Sequence, residues 1–286
     1  MVSIIIINYR QKELVLACVD SIRKMIRSPY EIIIVNNSPE EIIDTSEGIN
    51  VVPNENRGFS QANNLAAAQA KGEYLLLLNA DTEVRNDFLN GAVAALKKKD
   101  AGTMGMKMYN TDGTFQLSFW EENTFSNEKI NKQNEEKFRN RDTDFINQVE
   151  ENHSGVTEVD WVSGAAMLMR KDIFVKVGGF DEDFFLFYED ADLCKRIKEA
   201  GYGIYFYPKS DIVHLKGENV NEEFSSKTYF YAKQSQLLYY KKHNPLFQRM
   251  FLRVYLLTKF GFKYLTSFKS IYLKIVLLTL GLRKRP

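Results

Sequence analysis

The chain has 286 residues, of which 44% are hydrophobic and 13% aromatic, so it can bury a substantial core and is not an intrinsically disordered polypeptide. Its net charge of +1 is unevenly distributed, because thirteen lysines and arginines and no acidic residue follow Glu223. This distribution excludes a uniformly basic nucleic-acid-binding protein, and we expect no nucleic acid as a partner. The two cysteines, Cys18 and Cys194, offer neither a disulfide framework nor metal-ligand spacing, so we expect buried thiols.

Short apolar runs alternate with stretches of helical spacing over the first hundred residues. The apolar runs predict buried strands at residues 3–8, 31–37, 50–52 and 74–78. The stretches between and after them predict helices at residues 14–25, 61–70 and 87–97. This alternation predicts an α/β fold with a mostly parallel sheet flanked by helices. No signal-peptide pattern precedes the first strand, so we expect the protein to act in the cytoplasm.

Polar side chains end three of the predicted strands. Asn8 and Tyr9 follow the first strand, Asn36 ends the second, and Asn79 and Asp81 follow the fourth. Ligands of open α/β sheets bind beyond the carboxyl ends of the strands, so these side chains are expected to face a crevice. The same residue types also form turns and helix caps, and each one taken alone has that structural interpretation.

The phosphate-binding loops of two large enzyme classes are missing from the sequence. No Gly-rich dinucleotide fingerprint follows the first strand, and no Walker-type loop occurs, which argues against a Rossmann dehydrogenase and a P-loop kinase. A divalent cation held by a carboxylate is another way to bind a diphosphate. Asp81 is placed for that role.

A second group of candidate residues begins a predicted helix that extends to Ala200. Three acids, Glu189, Asp190 and Asp192, directly follow the aromatic run FFLFY. Acidic residues at a helix start complement the helix dipole, so a capping role is one interpretation. A carboxyl group against aromatic surface has its pKa raised by desolvation, which suits a general base near neutral pH. We favour Asp190 as that base.

Seven segments together resemble the family 2 glycosyltransferases of GT-A fold, in particular the rhamnosyltransferase-like branch that builds bacterial cell-surface polysaccharides. They occur in the expected order between Met1 and Gly217 and read VSIIIINYR, IIIVNNS, NENRGFSQANN, GEYLLLLNADTEV, VSGAAMLMRKDIF, GGFDEDFFLFYEDADLCKRI and DIVHLKG. The resemblance implies a Rossmann-like GT-A catalytic domain at residues 1–223. Its nucleotide-binding half would cover about 1–110 and its acceptor half about 156–223.

The resemblance implies a donor site at the strand ends. Asn8, Tyr9 and Asn36 would border the nucleotide base and ribose. The positions assigned to the donor site with them are Arg57, Asn64, Asn79, Asp81 and Gly164. Asn36 stands where many members have an acid that contacts the base, which leaves the identity of the base open. Asn79 replaces the first aspartate of the family's Asp-x-Asp motif.

The resemblance also implies a metal and a base. Asp81 would bind the Mg²⁺ or Mn²⁺ that bridges the donor diphosphate, and His214 would be a second metal ligand or, alternatively, a hydrogen-bonded core histidine. Asp190 in the Glu189-Asp190 pair would deprotonate the acceptor hydroxyl. The implied activity is inverting transfer of rhamnose or a similar hexose from a nucleotide-diphosphate donor to a glycan or lipid-linked acceptor. The alternative is a catalytically silent nucleotide-sugar-binding or scaffold protein.

Residues 121–155 and 224–286 have compositions of their own. The first segment is polar with few periodic apolar residues, and we expect a mobile surface insertion whose bordering Trp120 and Trp161 are available to stack on sugars. The second segment predicts basic amphipathic helices, because lysines interrupt each apolar run before the ~20 residues that a spanning helix needs.

The basic residues of this tail predict its partner. If residues 245–274 formed one helix, about a third of its circumference would carry five bases, namely Arg249, Arg253, Lys259, Lys263 and Lys274. We expect the tail to bind an anionic membrane surface, on the inner face of the cell membrane. Packing on the catalytic domain, or on the second subunit of a homodimer, is the alternative.

Overall fold

The computed structural model describes residues 1–43, 48–215 and 226–283. Within these ranges the strands are β1 (Val2–Asn8), β2 (Tyr30–Asn36), β3 (Ile49–Pro53), β4 (Tyr74–Leu78), β5 (Thr82–Val84), β6 (Ala101–Tyr109), β7 (Phe115–Gln116), β8 (Phe119–Trp120), β9 (Thr157–Glu158), β10 (Trp161–Val162), β11 (Ala166–Arg170) and β12 (Gly203–His214). The helices are α1 (Lys12–Met25), α2 (Phe59–Gln69), α3 (Leu89–Lys98), α4 (Asn127–Arg139), α5 (Thr143–Asn152), α6 (Lys171–Lys176), α7 (Glu189–Glu199), α8 (Ser226–His243), α9 (Leu246–Ser267) and α10 (Ser270–Thr279).

The central sheet has the strand order β3-β2-β1-β4-β11-β6-β12-β5. Strands β3, β2, β1 and β4 are mutually parallel, as are β6 and β12, whereas β11 runs antiparallel between β4 and β6. The predicted α/β fold with a mostly parallel sheet and flanking helices is confirmed. The antiparallel direction of β11 adds to it, because an apolar run of five residues carries no signal for strand direction.

Both faces of the sheet are buried, which explains why its strands read as continuous apolar runs. In β1, Ile4 and Ile6 join the core cluster beneath α1 and α3, and Ile5 joins the cluster beneath α2 and α7. The cysteines also lie in these two clusters, Cys18 in the first and Cys194 in the second. Burial raises the pKa of each thiol to about 12, so both side chains are inert structural thiols, as predicted.

The polar segment 121–155, expected to be a mobile surface insertion, forms regular structure. It contains α4 and α5, and these helices insert Phe138 and Ile146 into the core. The ring of Phe138 packs edge-on against that of Phe115 at 5.7 Å. A few large apolar side chains thus anchor an otherwise polar pair of helices, and such sparse anchors give little periodicity in the sequence.

The two tryptophans at the borders of this segment contact each other. Their strands β8 and β10 pair, and the rings of Trp120 and Trp161 stack at 4.3 Å with an interplanar angle of 14°. Both indole N–H groups donate hydrogen bonds, that of Trp120 to Glu135 and that of Trp161 to the backbone oxygen of Glu121. Each ring therefore has one face covered by the other.

The tail is helical, as predicted, but 245–274 is not one helix. The α9 helix ends at Phe268, whose φ of 53° is left-handed, and Lys274 lies on α10. The tail packs against the rest of the protein through α8, with Ser235 donating to the Leu186 oxygen at 2.8 Å and Gln236 donating to Glu128. The predicted boundary at 223–224 and the terminal residues 284–286 lie outside the described residues. None of the described helices is long and apolar enough to cross a bilayer.

Candidate active site

The end of β4 places Asp81 at the carboxyl edge of the parallel strands. Asp81 lies between β4 and β5 and is 9% exposed. Its backbone oxygen accepts a hydrogen bond of 2.8 Å from the nitrogen of Leu215, so the strand ends of β4 and β12 are fastened together here. Asn79, two residues earlier, is half-buried, and its nitrogen donates to the oxygen of Ala165 at 2.9 Å. The turn that precedes β11 is thereby fixed beside Asp81.

His214 is brought to Asp81 by strand pairing. β12 ends at His214, which lies opposite Thr82, the first residue of the antiparallel strand β5. This register places Nε2 of His214 3.2 Å from Oδ1 of Asp81. The other ring nitrogen, Nδ1, is buried and has no hydrogen-bond partner among the described residues. The sequence separation of the pair is large, and only the sheet topology brings them together.

Asp190 lies at the first turn of α7 and faces the same turn before β11. The nitrogen of Gly164 donates to its Oδ2 at 3.2 Å, and the nitrogen of Ala191 donates to its Oδ1 at 2.8 Å. Burial raises the pKa of Asp190 to about 6 although both backbone bonds lower it. Gly164 has no side chain to fill this space: a Cβ there would stand 3.3 Å from the ring of Phe59. Gly164 thus positions the carboxylate.

The connection between the two predicted halves of the site runs through this turn. Ala165 is bonded to Asn79 on the side of Asp81, and the adjacent Gly164 is bonded to Asp190. The metal candidate and the base candidate therefore border one region at the carboxyl end of β4. This is the place at which open α/β sheets bind their ligands.

Glu189 precedes the base and is buried. Its Oε2 has no hydrogen-bond partner within the described ranges, and burial together with the nearby charge of Asp190 raises its pKa well above the ordinary value. Two buried adjacent carboxyls do not both ionise readily, which is why the pKa of Glu189 is raised beside Asp190. The backbone before the pair is strained, because Phe187 and Tyr188 both have left-handed φ values, 69° and 65°.

The structure distinguishes the third acid from the other two. Asp192 is fully buried and accepts charged hydrogen bonds from Arg196, Lys242 and His243. Although burial alone raises the pKa, the bond to His243 and the charges of Arg196 and Lys242 lower it to about 2. Asp192 is therefore ionised at neutral pH and anchors the tail helix α8, so it is not a candidate base.

The polar residues at the ends of β1 and β2 bond to one another. Nδ2 of Asn8 donates to Oδ1 of Asn36 and to Oε2 of Glu41, both at 2.8 Å. Nδ2 of Asn36 donates to the backbone oxygen of Glu41 at 2.8 Å. Sequence reasoning missed Glu41, which lies in a loop without periodicity. Its carboxylate is half-buried beside Asn8.

The remaining donor candidates are Tyr9 and Arg57, which are exposed, and Asn64, which bonds within the protein. Tyr9 is 48% exposed beyond β1, and Arg57 is exposed beside Glu55, so both side chains face solvent near the strand ends. Arg57 precedes Gly58, whose left-handed backbone packs so closely on Phe185 that a Cβ would stand 2.5 Å from the Phe185 oxygen.

Asn64, a predicted donor residue, bonds within the protein. Its amide donates to the backbone oxygen of Phe180 at 2.9 Å, and its Oδ1 accepts from the Phe180 nitrogen at 2.9 Å. The same amide also reaches Glu182 at 3.0 Å. These bonds engage both ends of the side chain, so Asn64 holds the turn after Gly179 in place.

Asp81 and His214 form a donor set that fits a divalent cation. A carboxylate oxygen and an imidazole nitrogen suit Mn²⁺, and a single carboxylate with phosphate oxygens suits Mg²⁺. No cluster of three or more His, Cys, Asp or Glu side chains that could hold a metal occurs in residues 1–43, 48–215 and 226–283. Two protein ligands leave most of the coordination sphere to other oxygens, as a diphosphate would supply.

Comparison with known proteins identifies the family. The model described as glycosyl transferase family 2 matches residues 3–178, which is more than half of the chain. The chain belongs to glycosyltransferase family 2. A second model, described as the N-terminal domain of galactosyltransferase, matches residues 153–218, the range that contains Gly164, Asp190 and His214.

Relatives of this family 2 glycosyltransferase include rhamnosyltransferases. Rhamnosyltransferase WbbL of Escherichia coli (strain K12) is 25% identical over 281 residues, covering 89% of this chain and 98% of that protein. The N-acetylglucosaminyl-diphospho-decaprenol L-rhamnosyltransferase of Mycobacterium tuberculosis (strain ATCC 25618 / H37Rv) is 31% identical over 86 residues, covering 30% of this chain and 28% of that protein. The predicted rhamnosyltransferase-like branch is confirmed.

Solved structures confirm the GT-A fold of this glycosyltransferase. GalNAc-T7, solved with UDP, GalNAc and Mn²⁺, has a TM-score of 0.55 at 16% identity, covering 82% of this chain and 51% of that chain. The mannosyltransferase PcManGT from Pyrobaculum calidifontis, in complex with GDP-Man and Mn²⁺, has a TM-score of 0.55 at 19% identity, covering 84% of this chain and 63% of that chain. At these identities the likeness concerns the fold.

Proposed function

We propose that this protein is an inverting glycosyltransferase that moves a hexose, rhamnose or a similar sugar, from a nucleotide-diphosphate donor to a hydroxyl of a glycan or lipid-linked acceptor. The observation that carries the proposal is the single region bordered by the Asp81–His214 pair and by Asp190. Rhamnosyltransferase relatives support the sugar class. The work of such an enzyme in cell-surface polysaccharide synthesis would place it at the cytoplasmic face of the membrane.

The proposed reaction is one displacement at the anomeric carbon. The carboxylate of Asp190 accepts the proton of the acceptor hydroxyl, and the oxygen forms a bond to the anomeric carbon while the bond to the diphosphate breaks. Attack opposite to the leaving group inverts the anomeric centre. Gly164 and Ala191 hold the carboxylate through their N–H groups during this transfer. The departing nucleoside diphosphate carries the negative charge away.

Asp81 and His214 would hold the divalent cation of this site. A cation bound there neutralises the charge that grows on the leaving diphosphate. Manganese in two structures of the same fold supports a divalent ion. The exposed Arg57 adds a second cationic group on the donor side.

The base-binding end of the donor site is proposed at Asn8, Asn36 and Glu41. The buried amide of Asn8 bonds to the half-buried carboxylate of Glu41 and orients it, and Glu41 can accept an N–H of the nucleotide base. The exposed ring of Tyr9 lies where it can stack on the base.

Replacement of Asp81 tests the donor site. We expect Asp81→Ala to weaken metal-dependent donor binding at least roughly tenfold, since even an outer-shell change at a metal site costs that much. Thermal shift with a panel of UDP-, GDP- and dTDP-sugars, in the presence of Mg²⁺ or Mn²⁺, measures donor binding. A donor hydrolysis assay then measures turnover. The exposed Asp87→Ala is the matched control. Equal metal-dependent affinity in both variants would contradict the assignment, and binding without turnover of any donor would favour a silent nucleotide-sugar-binding protein.

The pH dependence tests the base. The pKa of Asp190 is raised to about 6, and only the ionised carboxylate accepts a proton. We therefore expect kcat to fall as the pH decreases through about 6 and to level off above it. A pH profile of the transfer rate at saturating donor and acceptor measures this fall in kcat. A rate that stays constant from neutral pH to well below 6 would contradict the role of Asp190.

A further inference from the structure

The tail exposes far more apolar surface than the rest of the molecule. Eighteen large apolar side chains are exposed in the described residues, and twelve of them lie between residues 246 and 282. Single exposed apolar side chains are ordinary, but a contiguous group marks an interaction surface. The tail therefore has a face that the monomer does not cover.

The outer side of α9 forms this face. We call it the α9 apolar face, and its members are Phe247, Met250, Phe251, Val254, Phe262 and Leu265. At 3.6 residues per turn these positions fall on one side of the helix, whereas Leu252, Leu256 and Phe260 on the other side are buried against α8 and α10. The helix has 22 residues and is about 33 Å long.

A residue of the segment 121–155 extends the α9 apolar face. The ring of Phe125 lies 6.0 Å from that of Phe251 and 6.4 Å from that of Tyr255, and its side chain is itself exposed. The face is thus supported by the catalytic part of the molecule as well as by the tail. A rigid surface of this kind can approach a flat partner without first having to fold.

The charges around the α9 apolar face are of one sign. Residues 226–283 contain eleven lysines and arginines and no acid. Lys259 lies near the border of the face beside the ring of Tyr255, whereas Lys263 lies on the packed side, beside the rings of Phe260 and Tyr272. Arg249 and Arg253 donate to the backbone oxygens of Asn244 and Thr279. At 3.6 residues per turn Lys259 and Arg253 flank the apolar stripe, whereas Arg249 lies on the packed side of α9 with Lys263.

We propose that the α9 apolar face lies on the surface of a bilayer with anionic headgroups. The apolar side chains would enter the acyl boundary, while Lys259 at the edge of the face extends to the headgroups. A second copy is disfavoured as the occupant, because a two-fold contact would bring this acid-free surface against itself. No described helix can cross a membrane, so the helix lies in the interface plane. Aromatic side chains at the face suit that depth.

Vesicle binding of the full chain, measured without nucleotide or sugar, tests the proposal separately from catalysis. We expect co-sedimentation with phosphatidylcholine vesicles that contain roughly one-third phosphatidylglycerol, and weaker binding at high salt or to phosphatidylcholine alone. The double substitution Phe262→Ser with Leu265→Ser should reduce the partition coefficient about tenfold or more. The matched control is Ile42→Ser with Val175→Ser, two exposed apolar residues elsewhere on the surface. Equal partition of the two double variants would overturn the proposal.

A gain-of-signal variant keeps the test independent of folding defects. Phe262→Trp should show fluorescence that brominated lipids quench, since residue 262 would lie at the acyl boundary. Light scattering measures whether the protein is a dimer, which tests a second copy as the occupant of the face. A wild-type dimer that Phe262→Ser with Leu265→Ser dissociates, together with no quenching of Phe262→Trp, would assign the face to a second copy and overturn the membrane proposal.

Discussion

Replacement of Asp190 by asparagine is expected to reduce transfer by roughly 10²–10⁴-fold in kcat, the usual contribution of a general base, while donor affinity stays close to that of the wild type. The asparagine side chain has the same shape but accepts no proton at its amide nitrogen. Asp81 and His214 are untouched by the change, so the donor diphosphate keeps its cation site. An effect on kcat without an effect on donor binding separates a base from a structural carboxylate.

The measurement compares initial rates of transfer with donor dissociation constants from thermal shift. Asp183→Asn is the control, because it removes an exposed carboxylate seven residues earlier in the same aromatic segment. Circular dichroism confirms that each variant is folded. Normal turnover of Asp190→Asn would remove Asp190 from the mechanism, and equal losses in kcat and donor affinity would indicate that the carboxylate only supports the fold.

The alternating part of the fold was predictable from apolar patterning. β1, β2 and β4 are buried on both faces, and each reads as an uninterrupted run of isoleucine, valine or leucine. The second half of the sheet was harder to predict, because β11 lies far along the chain from its partner β4 and pairs with it antiparallel. The break between α9 and α10 at Phe268 also has no marker, since neither glycine nor proline stands there.

The candidate site shows the same division between local and long-range information. The resemblance to the family indicated Asp81, Asp190 and His214, and strand pairing brings His214 to Asp81. The resemblance also indicated Asn64, whose bond to Phe180, 116 residues away, is not signalled by any residue near Asn64. Glu41 was missed because its importance comes from Asn8 across the sheet edge, not from any motif.

The tail proves to be a support of the candidate site. The ring of Tyr231 stacks on that of Phe185 at 4.4 Å, and Ser235 bonds to the oxygen of Leu186, both just before the strained residues that precede Glu189. Left-handed backbone at non-glycine residues costs free energy and persists only where neighbours hold it. Helix α8 supplies those neighbours. Docking of the tail and the geometry of the base are therefore linked.

Asp192 is the strongest point of that docking. Lys242 and His243 of α8 lie 2.6 and 2.7 Å from its Oδ1, and Arg196 bonds to its Oδ2 at 2.8 Å. We expect Asp192→Asn to lower the free energy of unfolding by about 3 kcal/mol, because removal of one partner from a buried ion pair leaves the others uncompensated. Urea denaturation of the full chain measures the loss. Asp181→Asn is the control, since Asp181 also binds Lys242 but is 28% exposed, and its loss should stay below about 1 kcal/mol.

The pH dependence of the stability difference between wild type and Asp192→Asn follows from the lowered pKa of Asp192. The pKa of Asp192 in the folded protein is about 2, below the ordinary 3.8, so its stabilising contribution is complete above 3.8 and disappears as the pH falls towards 2. The stability gap between wild type and Asp192→Asn should thus be full at neutral pH and close in acid. A gap that persists unchanged at pH values near 2 would mean that the asparagine disturbs packing instead of charge. Because α8 also holds the backbone before Asp190, a partly undocked tail should lower transfer in Asp192→Asn before the catalytic sheet unfolds.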